Sequence, residues 1–168
     1  MSQPTTGTET EALLASLNAQ RHHVLGILAD LSDDDLRRRV LPSGWTCIGM
    51  VRHLTLDVER FWFRGVVAGE PIDLDISDDA IWNLRADQHV TAVLDDYRQE
   101  IEHADAIISA TTPDAAPAWW PEELFPGFRL HTLRQIVLHV ITETACHAGH
   151  LDAVRELIDG RTWLVLTE

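Results

Sequence analysis

Four side chains of types that commonly bind metal ions recur within residues 132–158, where apolar residues repeat with the period of a helix. They are His139, Glu143, His147 and His150, and at about 100° per residue they fall within an arc of roughly 80°. This arc overlaps the edge of the apolar face, where burying a polar group is costly unless it finds a partner. A bound cation would satisfy several of these groups together.

One pair within this set has the spacing of metal ligands. Glu143 and His147 lie one helical turn apart and can bind one ion from a single face. A third ligand must come from another helix, and His53 is the candidate. Two imidazoles and a carboxylate around zinc leave a fourth position open, as in catalytic zinc sites, although nickel or iron can occupy similar ligands. Asp57 and His150 would then orient the ligands or relay a proton, which makes them the predicted catalytic residues.

A bundle without a metal is the alternative interpretation of the same residues. Helical Glu–His pairs one turn apart are common, and most of them are exposed or hydrogen-bonded. The histidines would then satisfy one another, and the protein would be a non-catalytic module for small-molecule binding or dimerisation. Metal content separates the two hypotheses, because only the first predicts a bound ion.

The other histidines and both cysteines are weaker candidates for chemistry. His139 is interpreted as a core or pocket histidine. Cys47, at the start of a predicted helix, could have a lowered pKa and a redox role. Cys146 and His147 are sequence neighbours and point apart on a helix, so they form no catalytic dyad. The histidines predicted to be surface or cap residues are His22, His23, His89, His103 and His131.

Four predicted amphipathic helices must position these residues. Their apolar residues have helical spacing at 9–30, 47–68, 88–110 and 132–158. Ser32, before a short helix, and Thr46 are predicted N-caps, and Gly160 is a predicted C-cap. The pattern predicts an all-α protein, a four-helix bundle whose long connecting loops permit crossovers.

The segments outside these helices are assigned by composition. Residues 1–8 are predicted to be a disordered tail and 9–160 one domain. Residues 161–168 are a C-terminal tail whose WLVL sequence could pack on the bundle or on a second subunit, as in a homodimer. Residues 111–131 contain several aromatic residues without periodicity and are predicted to form a loop over the bundle end.

The acidic connection at 70–86 is predicted to be a solvated loop. Its DLDISDD sequence at 73–79 superficially resembles a calcium-binding loop. Asp78 and Leu84 stand where such a loop needs glycine and glutamate, so calcium binding is not expected.

The composition excludes several classes of partner. With 13 basic and 27 acidic residues, the net charge of −14 is unsuited to nucleic acid or to an anionic membrane surface. No apolar run approaches membrane-spanning length, and the N-terminal residues lack the apolar core of a signal peptide, so we expect a cytoplasmic protein. Two cysteines form no disulfide framework, and the absence of lysine excludes a Schiff base or a P-loop.

Two segments resemble the DinB-like superfamily: GWTCIGMVRHLTLDVERFWFRGVVAGE and VLHVITETACHAGHLDAVRELIDG. The chain is most similar to the bacterial branch of mini-circle proteins, which is related to the N-terminal domain of mycothiol-dependent maleylpyruvate isomerases. The resemblance implies a four-helix bundle of down-up-up-down type with a metal held by three residues. Carried onto this sequence, these residues are His53, Glu143 and His147, and zinc is the expected metal.

The resemblance also implies a metal-dependent thiol S-transferase that acts on small electrophiles, with mycothiol as the expected thiol. Zinc coordination would convert the thiol to the thiolate, which is the nucleophile. A pocket roofed by Trp119, Trp120 and Phe125 would receive the electrophile. Metal-assisted hydrolysis, with hydroxide in place of the thiolate, is the alternative on the same ligands. The isomerases have an additional C-terminal domain that helps to build their active site, so thiol transfer is expected here instead of isomerisation.

Overall fold

All regular structure in the described residues is helical, which confirms the all-α prediction. The computed structural model describes residues 6–73, 82, 84–85 and 87–163. The α-helices are α1 (Thr6–Leu28), α2 (Asp33–Leu36), α3 (Cys47–His53), α4 (Val90–Ala110) and α5 (Leu133–Asp159). A π-helical segment, Leu54–Val67, continues α3 without a break. The predicted helices are therefore all present, with ends that differ by a few residues.

Side-chain caps fix several helix ends, as the sequence predicts. Ser32 accepts a hydrogen bond from the Asp35 amide at 3.1 Å, at the start of α2. Thr46 does the same for Gly49 at 3.0 Å, at the start of α3. Helix α5 ends at Gly160, whose φ of 77° lies in the left-handed region that favours glycine. The positions of Glu143 and His147 on α5 thus follow from local sequence signals.

The second long helix changes its winding directly after His53. From Leu54 to Val67 its turns are π-helical, and at the end of the segment the Ala68 amide donates to the Phe63 carbonyl at 3.0 Å. The prediction of one helix over 47–68 has the right extent, but after His53 its winding is not that of an α-helix. Because π-helical turns are rare and often occur at functional sites, the change next to a predicted ligand is informative.

The four long helical segments pack around one apolar core. Helix α1 lies along α5, and the π-helical segment lies along α4 and also contacts α5. Helix α3 contacts both α4 and α5. Each segment contributes fully buried side chains to this core, among them Val24, Leu54, Tyr97 and Leu151. Burial of such side chains is the main driving force that holds the segments together.

Two buried arginines join the helices to each other. The Arg21 guanidinium on α1 donates two hydrogen bonds, at 2.7 and 2.6 Å, to the carboxylate of Glu59 on the π-helical segment. Arg155 on α5 donates to the carbonyls of Ile27 and Ala29, where α1 ends. A buried charge without such a partner would be strongly destabilising, so these contacts restrict how the helices can shift along one another.

The predicted aromatic loop runs against the end of the π-helical segment. The amides of Ala118 and Trp119 donate to the carbonyls of Val67 and Val66, each at 3.1 Å. Phe125 stacks on Trp62 with ring centroids 5.6 Å apart. The loop therefore packs over one end of the helices, as expected from its composition.

Several predicted features lie outside the described residues. These are residues 1–5 of the predicted tail, most of the calcium-like sequence at 73–79, and residues 164–168. The C-terminal segment is described as far as Trp163, which packs on α1 and stacks on His23 with ring centroids 5.4 Å apart. Among the described helices, none combines the length and the apolar content that a membrane crossing needs.

Candidate metal centre between two antiparallel helices

Three ring contacts show how α5 faces the helix formed by α3 and the π-helical segment. Trp45, just before α3, lies 6.4 Å from His150, and His53 lies 5.0 Å from His147, measured between ring centroids. Farther along, Trp62 lies 4.8 Å from His139. Because residue numbers rise on one side as they fall on the other, the two helices are antiparallel. The groove between them carries the predicted site residues.

The structure brings the three predicted ligands together at the middle of this groove. One ligand atom from each of His53, Glu143 and His147 lies within 4.8 Å of the others, so the group could hold a metal ion. Glu143 Oε1 lies 3.1 Å from His147 Nε2 and 4.0 Å from His53 Nε2. Ligand atoms of a tetrahedral zinc site lie about 3.3 Å apart, so only small side-chain movements would be needed. Three protein ligands would leave a fourth position open.

Asp57 and His150 support the two histidines from behind. The Asp57 Oδ2 atom accepts a hydrogen bond from His53 Nδ1 at 2.8 Å, which leaves Nε2 of that ring facing Glu143. The Nδ1 atoms of His147 and His150 lie 3.4 Å apart. In both rings the outer nitrogen is engaged while Nε2 faces the carboxylate, and such contacts orient the histidines of metal sites. The two predicted catalytic residues are thus next to the cluster.

The environment of His147 favours the neutral imidazole that a metal requires. Partial burial lowers the pKa of His147, and the neighbouring His53 acts in the same direction, although Glu143 opposes both. The side chains of His53 and His147 are 16% and 15% exposed, against 38% for Glu143. The imidazoles are therefore partly shielded, and the carboxylate lies at the open side of the groove.

One wall of the cluster was missed by sequence reasoning. The indole of Trp82 stacks on the His53 ring at 4.8 Å with an interplanar angle of 21°. Its main chain approaches α3 closely, because a Cβ atom at Gly49 would lie 2.5 Å from the Trp82 carbonyl oxygen. Trp82 belongs to the acidic connection at 70–86, which is predicted to be a solvated loop. A tryptophan within such a polar stretch was the available signal that this part of the connection packs against the protein.

Aromatic side chains surround the end of the groove near His139. The His139 ring contacts Trp62 at 4.8 Å and Phe128 at 6.1 Å, and partial burial lowers its pKa. Trp120 and Phe125, two of the predicted roof residues, also contact Trp62. Trp119, the third predicted roof residue, has its ring contact with Phe61 and is 39% exposed. Trp62 and Phe128 were not among the predicted pocket residues.

The remaining candidates lie away from the cluster. Cys47 is buried, and desolvation raises the pKa of its thiol to about 11, which is opposite to the lowering that a redox role requires. Cys146 is exposed on α5. His23 is wrongly predicted as a surface residue, because its ring is only 14% exposed and contacts Asp152 at 2.8 Å. His103 is 46% exposed, in agreement with its prediction.

The fold and this group of residues define an all-helical protein with a His–Glu–His set that can hold a metal ion. The chain belongs to the mycothiol S-transferase family, whose model matches residues 12–160. That family is part of the DinB-like superfamily, which confirms the resemblance found in the sequence. Membership implies a thiol and an electrophile as substrates. No curated protein and no solved structure matches the chain.

Proposed function

We propose that this protein is a metal-dependent thiol S-transferase that joins mycothiol to small electrophiles. The observation that carries this proposal is the convergence of His53, Glu143 and His147 in a chain of the mycothiol S-transferase family. We further propose that the four long helical segments form a bundle of the down-up-up-down type. In this arrangement the site lies between its second and fourth helices.

The three residues fit a divalent metal, and zinc is the proposed ion. Two neutral imidazoles and one carboxylate match the ligand types that zinc accepts, and they leave a position open to a substrate. A metal at this position would favour the thiolate form of a bound thiol, which is the nucleophilic form. Nickel or iron would be compatible with the same ligands.

The protein's own residues would handle the proton and orient the ligands. In a substitution reaction, the thiol sulfur forms a bond to carbon, and the leaving group departs with the electron pair of the broken bond. The thiol proton passes to a base and then to solvent. Asp57 suits this role, because only its Oδ2 contacts His53, so Oδ1 can accept the proton. His150 would mainly support His147, whose Nδ1 lies 3.4 Å away.

The aromatic end of the groove is the proposed site for the electrophile. Phe125 and the exposed Phe128 provide apolar ring surface over the buried Trp62 and next to His139, which precedes Glu143 by one turn of α5. Apolar groups gain free energy when they leave water for such a surface. A small apolar electrophile bound there would have its reactive carbon near the cluster.

The test is turnover of monochlorobimane by the zinc-loaded protein, with and without mycothiol. We expect fluorescence that requires both the thiol and His53, so that His53→Ala loses activity. The control is His103→Ala, because His103 is exposed and lies on α4 away from the cluster. No acceleration with mycothiol or other small thiols, despite one bound metal per chain, would refute the transferase. Thiol-independent product release would instead indicate the hydrolase, and a metal-free protein the non-catalytic module.

A further inference from the structure

A cavity of about 610 Å³ with a mixed polar and apolar lining lies at the start of α3. Its volume falls within the range of small-molecule sites, roughly 300–1,000 Å³. Thr46 and Ile48 form part of its floor, and His53 follows Ile48 by five residues, about 7 Å along the helix. The cavity therefore lies near the start of the helix that carries His53.

Trp82 belongs to both the cavity and the cluster. Its indole stacks on His53, and the same residue lines the cavity. Gly49 permits this position, because any larger residue would bring its Cβ within 2.5 Å of the Trp82 carbonyl oxygen. The cavity thus adjoins the ligand cluster through a single aromatic side chain.

The cavity lining balances its charges and mixes donors with acceptors. The lining contains two aspartates and two arginines, together with the amide of Gln88, the imidazole of His89 and the hydroxyl of Thr46. Arg37 is held by the carbonyls of Arg85 and Gln88, and the Gln88 side-chain oxygen accepts the Arg85 amide at 3.1 Å. The Gln88 amide group therefore keeps its N–H donors, and the Asp34 carboxylate has no partner among the described residues.

This chemistry suits an uncharged polyhydroxyl compound better than an ion. A hydroxyl group can donate a hydrogen bond to a carboxylate and can accept one from an amide N–H, so it can pair with both kinds of group in this lining. A strongly charged ligand, whether an anion or a cation, would be repelled by the lining residues that carry the same charge. The indole of Trp82 offers an apolar face against which a saturated ring can pack.

We propose that this cavity binds the polyhydroxyl portion of the thiol co-substrate while its sulfur lies at the cluster. This inference rests on the proposed function, and mycothiol supplies the required chemistry, because it carries its cysteine on a sugar–inositol unit. The polyhydroxyl portion then lies beside Trp82, and the electrophile lies at the aromatic end of the groove. Asp34 and Trp82 become determinants of thiol specificity.

The test compares two thiols and one fragment on the zinc-loaded protein. The thiols are mycothiol and N-acetylcysteine, which lacks the sugar–inositol unit, and the fragment is that unit with its amino group acetylated in place of the cysteine, so that it is uncharged. We expect Asp34→Ala to raise KM for mycothiol roughly tenfold, the loss associated with a hydrogen bond to a charged group, with KM for N-acetylcysteine unchanged. The control is Asp95→Ala, because Asp95 is 62% exposed and lies on α4, outside the cavity lining.

Calorimetric titration with the fragment decides the inference independently of turnover. We expect the wild-type protein and Asp95→Ala to bind the fragment, and Asp34→Ala to lose most of this affinity. No binding of the fragment to the wild-type protein, or equal KM changes for both thiols, would overturn the inference. Turnover with either thiol would leave the transferase proposal standing in that case. Fragment binding that depends on Asp34 in a protein without transferase activity would refute only the proposed reaction.

Discussion

Replacement of Asp57 by asparagine tests whether the cluster is built to bind a metal ion. Asp57 Oδ2 accepts a hydrogen bond from His53 Nδ1 at 2.8 Å and so directs Nε2 of that ring toward Glu143. Asparagine has nearly the same shape and can still accept through its amide oxygen, but it carries no negative charge. The imidazole of His53 becomes a weaker ligand, because the carboxylate no longer raises its basicity.

The expected loss of zinc affinity is about tenfold. Removing the outer partner of a metal-bound histidine costs roughly 10- to 100-fold in affinity, which is about 1.4–2.8 kcal/mol. The Asp57 side chain is 38% exposed, so solvent screens part of its charge, and asparagine retains the hydrogen bond. Both facts place the expected effect at the lower end of that range.

Competition with a chromophoric zinc chelator at pH 7 measures this change as a ratio of dissociation constants. The matched control is Asp152→Asn. Asp152 contacts Nε2 of His23 at the same distance of 2.8 Å, but that histidine is not part of the cluster. The reasoning fails if Asp57→Asn binds zinc as tightly as the wild-type protein does. It also fails if both variants lose the same affinity, since the effect would then come from net charge.

Three further predictions concern metal removal, the cysteines and the buried ion pair. At free zinc near 100 times Kd, binding adds about 2.7 kcal/mol, so a chelator should lower Tm by about 5–10 °C in this chain of 168 residues. If the chelator lowered the Tm of His147→Ala by the same amount, as measured by calorimetry, the result would contradict this prediction. Iodoacetamide should modify the exposed Cys146 in the native protein and the buried Cys47 only after unfolding, as intact mass will show; early modification of both thiols would disprove the burial argument. Glu59→Gln should lower the free energy of unfolding in urea by about 2 kcal/mol, because Arg21 loses one charged partner and one hydrogen bond but keeps its ion pair with Asp105, and an unchanged free energy would refute this.

The sequence predicted those features that depend on nearby residues. Helix ends followed from caps at Ser32, Thr46 and Gly160, each of which acts within a few positions of its own residue. The relation between Glu143 and His147 followed from the pitch of a single helix, and their 3.1 Å contact agrees with it. Local geometry was sufficient in all these cases.

The features that it did not predict depend on residues far apart in the chain. The stacking of Trp82 on His53 joins a polar connection to a helix that precedes it, and no periodic pattern marks such a contact. The pairing of Trp62 with His139 follows only once two helices are placed antiparallel. The sequence also did not predict the π-helical winding after His53, because the spacing of hydrophobic residues along one helix does not distinguish α-helical from π-helical turns.

The surroundings of the His53, Glu143 and His147 cluster differ in polarity from one side to the other. Successive contacts along α5, from His150 to His139, span about 16 Å, and the cluster lies between them. A cavity whose lining contains two aspartates and two arginines adjoins the cluster through Trp82, whereas aromatic rings around Trp62 line the end of the groove near His139. A polar thiol buried among the aromatic rings would lose free energy, because its polar groups would have no hydrogen-bond partners there. An apolar electrophile would gain little among the charged groups of the cavity. On the proposed function, each substrate would therefore bind preferentially on one side of the cluster, and the reacting atoms would meet only at His53, Glu143 and His147.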